Sequence, residues 1–238
     1  MTSGEDPGVK HGAAGLARLL QFGDSMFPVG GFSFSGGLES AIQQRVVTDA
    51  ATLLEFARTA TAQAASGDGI ALIHAHRAAR AGDLAEVARI DQRVFARKLS
   101  SENRTMSTRM GRKAAELGAQ VIGAPLVGEW MDRIVSGATP GCLPLSLAVN
   151  FAAQDLSAQE AFVAYQYGVA VTILSAALRL MRIGHVDTQK MLYALAGDMD
   201  DAYARAAAAS LEDMAGFAPM TEILAAVHVR AHVRLFMN

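Results

Sequence analysis

The stretch from Ala161 to Leu178 reads AFVAYQYGVAVTILSAAL. It is apolar apart from Gln166, Thr172 and Ser175, with tyrosines at 165 and 167. A run of this length is near the minimum for a bilayer-crossing helix. A helix apolar on every side is equally the mark of one buried at the centre of a helical protein. Its small and polar residues are spread along its length, and the first basic residues, Arg179 and Arg182, follow only one end. No second stretch of comparable apolarity accompanies it. The expectation is a buried central helix and no membrane span.

Helical spacing continues on both sides of this run, and strand signals are scarce. Leu16, Leu19 and Leu20 share a face before Gly23, and Gly37 to Gln44 is a short helical segment. Thr48 or Asp49 can cap a helix that carries Leu53, Phe56 and Ala60 on one stripe. Asp68 to Ala81 follows, with Ile70, Leu72 and Ile73 apolar and His74, His76 and Arg77 polar. Gly82-Asp83 reads as a turn and cap before Val87, Ile90, Val94 and Leu99. Thr105 to Leu117 predicts a further helix, with Gly118 in the position of a C-terminal glycine. Gly137, Pro140, Gly141 and Pro144 predict a loop-rich region. Beyond the central run, Thr188 to Ala215 predicts one long helix with Gly197 inside it. Met220 to Phe236 predicts an amphipathic last helix with Ile223, Leu224 and Val227 on one side. The fold class expected is all-α, a single-domain helical bundle around the buried helix. It spans residues 13–238 after a polar, disordered N-terminal tail over residues 1–12, which lacks the apolar stretch of a signal peptide.

Composition narrows the function classes. Of 238 residues, 51% are hydrophobic and 18% charged, so apolar surface is left over for a partner chain to cover. A net charge of −2 and a pI of ≈ 6.3 argue against nucleic acid as a partner. The lone cysteine, Cys142, has no disulfide partner within the chain, which fits a reducing, cytoplasmic setting.

Few motifs carry chemistry. No G-x-x-x-x-G-K-[ST] loop is present, so the chain is not expected to be a nucleotide hydrolase. His228 and His232 lie four apart and share a helical face, yet two ligands do not make a metal site. His74 and His76 point about 200° apart on a helix. Neither pair, nor Cys142, predicts a bound metal or cofactor. A metal carrier using His228 and His232 is one alternative. A helical enzyme drawing on Asp24, Glu39 and His228 or His232 for acid and base work is another, without any nucleophile elbow at Ser25.

The segment from Leu19 to Glu39, LLQFGDSMFPVGGFSFSGGLE, surrounds a glycine turn with Phe27, Phe32 and Phe34. Physically it is either a packed corner or an exposed binding surface. It resembles the N-terminal signature of the urease accessory protein F family, a Leu-Leu-Gln run leading into D-S-x-F-P-x-G-G-F and G-L-E. The matching positions include Leu19, Leu20, Gln21, Asp24, Ser25, Phe27, Pro28, Gly30, Gly31, Phe32, Gly37, Leu38 and Glu39. Ser107, Gly111 and Arg112 resemble the family's S-x-x-x-G-R stretch. Leu211-Glu212-Asp213 with Phe217-Ala218-Pro219 resembles the entry to its last helix, and His228 with Arg234-Leu235-Phe236 its closing motif. The departures are Phe34, where many members have His or Tyr, Gly36, where a larger side chain is common, and Val229, where an acidic residue is common. The glycine-rich stretch from Gly141 to Asn150 matches only at Gly141 and Pro144.

The resemblance implies an all-helical homodimeric scaffold without catalytic residues of its own. It implies that accessory proteins of the D or H type are bound, and that the pair recruits a nickel-carrying GTPase of the G type. The assembly then serves nickel insertion into apo-urease. The residues expected to bind partners are Asp24, Ser25, Phe27, Pro28, Gly30, Gly31, Phe32, Glu39, Arg112, His228, Arg234, Leu235 and Phe236. For Arg234 and Phe236, docking and simple capping of a core helix stand as equal readings.

Overall fold

The computed structural model describes residues 12–215 and 235–236. These residues are all-α, and no strand occurs among them. The helices are α1 (Ala13–Gly23), α2 (Leu38–Gln43), α3 (Ala50–Ala64), α4 (Ile70–Arg80), α5 (Leu84–Arg97), α6 (Ser101–Val121), α7 (Pro125–Val135), α8 (Leu143–Ala152), α9 (Ala158–Leu180), α10 (His185–Ala196) and α11 (Met199–Ala208). Short 3-10 turns cover Gly31–Ser33 and Leu211–Asp213. A π turn over Ala65–Gly69 joins α3 to α4 without a loop.

Several helices start where their caps predict. Asp49 Oδ1 accepts the Thr52 N–H at 2.9 Å, and Thr52 Oγ1 accepts the Asp49 N–H at 3.0 Å, closing a reciprocal box at the head of α3. Asp83 accepts the Glu86 N–H at 2.9 Å to start α5. Ser157 and Glu160 close the same kind of box on α9. Each cap satisfies one of the four first-turn donors that its helix leaves unpaired.

The expected central helix is α9, which packs against α1, α2, α3, α4, α8, α10 and α11. Its first half places Ala161, Phe162 and Tyr165 in one core with α4, α5, α7 and α8, where Trp130, Phe151 and Ile90 are fully buried. Its second half places Ala170, Ile173, Leu174 and Ala177 in another core with Leu38, Leu53, Phe56 and Met191. The helix is not buried all round, as its composition suggests. Tyr167, Gly168, Ser175 and Arg179 form an exposed stripe with the half-buried Val171 and Thr172. It is long and apolar enough to cross a membrane by length and composition, but half of its apolar window is buried inside the protein. That burial is what a core helix requires.

The remaining differences from expectation have physical causes. Leu16 and Leu20 point outward from α1, and Phe22 is the residue that α1 buries. Helix α5 ends at Arg97, so Leu99 is exposed and not part of its stripe. His76 is buried, its Nε2 2.8 Å from the Leu156 carbonyl, and His74 Nε2 lies 2.9 Å from the Ala209 carbonyl. Both rings fasten distant chain segments. Helix α6 runs through Gly118, which is a packing glycine and not a terminus. A Cβ there would overlap the Asn150 side-chain amide, standing 2.7 Å from its Cγ. The loop-rich region contains α8, the most thoroughly buried helix, entered through Pro144 in its first turn. The long helix expected from Thr188 to Ala215 is broken near Gly197 into α10 and α11. The tail over residues 1–12, apart from Gly12, and the helix from Met220 to Phe236, apart from its last two residues, lie outside the described residues.

One buried carboxylate organises the corner before α8. Asp91 accepts the Thr139 hydroxyl at 2.6 Å, the Gly141 N–H at 2.6 Å and the Cys142 N–H at 2.9 Å. Opposite it, Ser107 Oγ accepts the Leu143 N–H at 3.4 Å, and Gly111 lies one turn along α6 with no room for a side chain. The S-x-x-x-G spacing therefore serves close packing of α6 onto this corner.

Candidate partner-docking site

The loop after α1 is built from its own sequence. Asp24 Oδ1 accepts the Met26 N–H at 2.7 Å, and the Asp24 carbonyl accepts the Phe27 N–H at 3.0 Å. Phe27 turns inward onto Phe22, with ring centroids 4.7 Å apart. Gly30 has φ of 87°, the left-handed conformation that glycine adopts cheaply, and it opens the 3-10 turn. The turn then throws Phe32 outward, 76% exposed, while Phe34 is buried at 4%. The segment is thus both a packed corner, at Phe22, Phe27 and Phe34, and an exposed surface, at Asp24, Ser25, Pro28 and Phe32.

Behind Phe32 runs an apolar groove of ≈ 350 Å³ lined by Phe22, Phe27, Met106, Met110, Tyr167 and Val171. The exposed stripe of α9 forms one wall. Tyr165 lies at its floor and donates its hydroxyl to Asp68 Oδ2 at 2.7 Å, which also receives Lys98 Nζ at 2.8 Å. Burial, and then the neighbouring Asp68 carboxylate, hold the Tyr165 phenol well above its ordinary range. Burial, and then Asp91, do the same to the Cys142 thiol.

Both groups are favoured in their neutral forms by the fold, so their contribution is fully present below their unfolded values of about 8.5 and 10. It is lost as pH rises beyond those values. We expect the thermal midpoint to fall steeply between pH 9 and 11, and Tyr165→Phe to flatten the upper part of that fall. Identical pH profiles for both proteins would refute the assignment to Tyr165.

The signature loop meets the chain's end. Glu39, on α2 and only 3% exposed, accepts the Leu235 N–H at 2.9 Å and the Phe236 N–H at 3.2 Å with its two carboxylate oxygens. Phe236 is buried at 5% and Leu235 is 71% exposed. The Arg179 guanidinium sits 4.1 Å above the centre of the Phe236 ring and donates to the Phe32 carbonyl at 3.0 Å. Sequence reasoning did not single out Arg179, since its partners are 147 residues away at Phe32 and at the other terminus.

Of the residues expected to bind partners, the structure gathers Asp24, Ser25, Phe27, Pro28, Gly30, Gly31 and Phe32 in one loop, and joins Glu39 to Leu235 and Phe236. Arg112 does not join them. It is exposed on α6, about 200° round the helix from the groove residue Met110. His228, His232 and Arg234 lie outside the described residues. Among the described residues no three His, Cys, Asp or Glu side chains converge as metal ligands. Glu39 is committed to two backbone N–H groups, which removes it as a free catalytic base.

Comparison with known proteins gives a consistent result. A family model described as UreF matches residues 47–196. Urease accessory protein UreF 2 of Brucella canis is 57% identical over 224 residues, covering 94% of this chain and 92% of the relative. The protein of the same name from Brucella abortus (strain 2308) matches to the same extent. Urease accessory protein UreF of Yersinia pseudotuberculosis serotype IB is 49% identical over 226 residues, covering 95% of this chain and 99% of the relative.

Proposed function

Because the chain belongs to the UreF family of urease accessory proteins, we propose that it works as a docking scaffold built on the groove behind Phe32. It is an accessory to urease maturation and not an enzyme. In the proposed reading it pairs with an accessory protein of the D or H type, and the pair recruits a nickel-carrying GTPase of the G type. The assembly acts in the cytoplasm and delivers nickel to apo-urease. Nickel is cargo in this scheme, and the described residues need not hold it.

The observation that carries the reading is a large aromatic side chain left 76% exposed at the rim of an apolar groove. Burying such a ring contributes about 1.5–3 kcal/mol, and aromatic anchors seated in pockets dominate binding at protein interfaces. The outward-facing Leu16 and Leu20 of α1, which do not line the groove, support a homodimer in the same way. The expected binding set outside the described residues, His228 and Arg234, belongs to this proposal, as does the exposed Arg112.

Phe32→Ala tests it. The ring makes little contact with the core, so the variant should keep the wild-type unfolding midpoint. Its retention of the D-type partner and the GTPase in co-purification should drop at least tenfold, on the scale of a lost anchor. Retention of both at the wild-type level would remove Phe32 from the docking site.

A further inference from the structure

We propose that Arg179 is a positioning residue that couples the seating of Leu235 and Phe236 to the presentation of Phe32. The proposal rests on the docking reading for its purpose, but its structural content stands on three contacts. The Glu39 carboxylate holds the Leu235 and Phe236 amides, fixing where the Phe236 ring enters the core formed by α2, α3, α9 and α10. The Arg179 guanidinium carbon sits over that ring, 4.1 Å from its centre. From the same side chain an N–H donates to the Phe32 carbonyl at 3.0 Å, within the 3-10 turn.

The chemistry of arginine makes the coupling directional. A guanidinium is planar and always charged, so it stacks on an aromatic face and still donates in its own plane. Arg179 is exposed at the end of α9, and a long side chain there has many rotamers to choose among. The Phe236 ring selects the one whose N–H meets the Phe32 carbonyl. With the ring gone, the guanidinium returns to solvent and the turn keeps only its two internal bonds. These run from the Ser33 N–H to the Gly30 carbonyl at 3.3 Å and from the Phe34 N–H to the Gly31 carbonyl at 3.1 Å. The C-terminal residues thus act as a latch on the aromatic turn. A partner that displaces or grips the chain's end changes the surface offered at Phe32 without touching it.

Hydrogen exchange at the Ser33 and Phe34 amides of the full chain tests this without any partner present. Arg179→Ala and Phe236→Leu should each speed exchange there about tenfold, the scale of one lost hydrogen bond. The double variant should be no faster than either single one. Phe236→Leu keeps apolar volume in the core, and the unfolding midpoint checks that it folds. Phe236→Tyr restores the ring and should restore wild-type exchange. Faster exchange in Arg179→Ala with none in Phe236→Leu overturns the coupling, as does full additivity in the double variant. Co-purification of the D-type partner with the same variants separates the two readings. Altered exchange with undiminished partner binding supports the latch and overturns docking at Phe32. Unaltered exchange overturns the latch, whatever the partner does.

Discussion

Gly111→Ala is expected to destabilise the protein by about 3 kcal/mol or more, despite placing alanine in the interior of a helix. Two effects compete at this position. Alanine is favoured over glycine in mid-helix by about 1 kcal/mol. Against that, a Cβ at position 111 would overlap the carbonyl oxygen of Gly141 and stand 2.5 Å from the Cys142 carbonyl carbon and the Leu143 nitrogen. These are backbone atoms and cannot swing aside. Helix α6 and the start of α8 would have to part, opening the core around Cys142 and Leu145, both fully buried. Steric exclusion therefore wins. Gly128, in α7, is the matched control: nothing lies within 4 Å of a Cβ there, so Gly128→Ala should leave stability unchanged or raise it by up to about 1 kcal/mol. Urea unfolding of the two variants settles the matter, and equal midpoints would refute the close approach of α6 to the corner.

Asp91→Ala should cost about 4 kcal/mol. The carboxylate is fully buried and takes the Thr139 hydroxyl and the Gly141 and Cys142 amides. Removing it leaves three donors without acceptors in a dry site, and each unsatisfied donor costs about 1–3 kcal/mol. The costs do not add fully, because the corner can relax toward water. Asp91→Asn keeps the shape but turns an NH2 group toward donors, so it should fall between the wild type and Asp91→Ala. A midpoint for Asp91→Asn equal to that of wild type would show that hydrogen-bond polarity does not hold this corner.

Both positions bear on what can be read from sequence. Helices α3 and α5 were legible because a cap residue and a regular apolar spacing agree in each, and α9 was legible from the length of its apolar run. Helix α8 was not. Nine of its positions, Pro144 to Ala152, are buried, so its sequence carries no period, and its entry through glycine and proline looks like a loop. Gly118 reads as a stop in the sequence because glycine ends helices more often than it packs them; only the partner Asn150 reveals the difference. Gly197 was visible, but nothing local shows that the chain turns there.

The candidate site divides in the same way. The aromatic turn and the closing Leu235-Phe236 were legible as separate motifs, through a family resemblance. That Glu39 joins them was not, since a buried glutamate on a short helix has no local signal for its partners. Arg179 follows a long apolar run and reads as the end of a helix. Asp91 did leave a trace: it sits four residues after Val87 and three before Val94, on the apolar stripe of α5. A carboxylate at a core position calls for buried donors, and a sequence reading that asked for them would have looked for a loop with free amides.

The π turn over Ala65–Gly69 has a consequence for chain length. It accommodates an extra residue inside what is otherwise one rod from Ala50 to Arg80. Deleting one residue within the turn would let an ordinary helix run straight through with its downstream phase kept, whereas deleting one residue of α3 would swing everything beyond it by about 100°. Ile70, Ile73 and Ala79 would then leave the core that they fill, and Asp68 would lose its reach to Lys98 and Tyr165. The turn is therefore where this rod best absorbs a change in the number of residues, while its own side chains are constrained: Ala65 and Gly69 are buried, and a Cβ at Gly69 would stand 2.6 Å from the Phe162 ring.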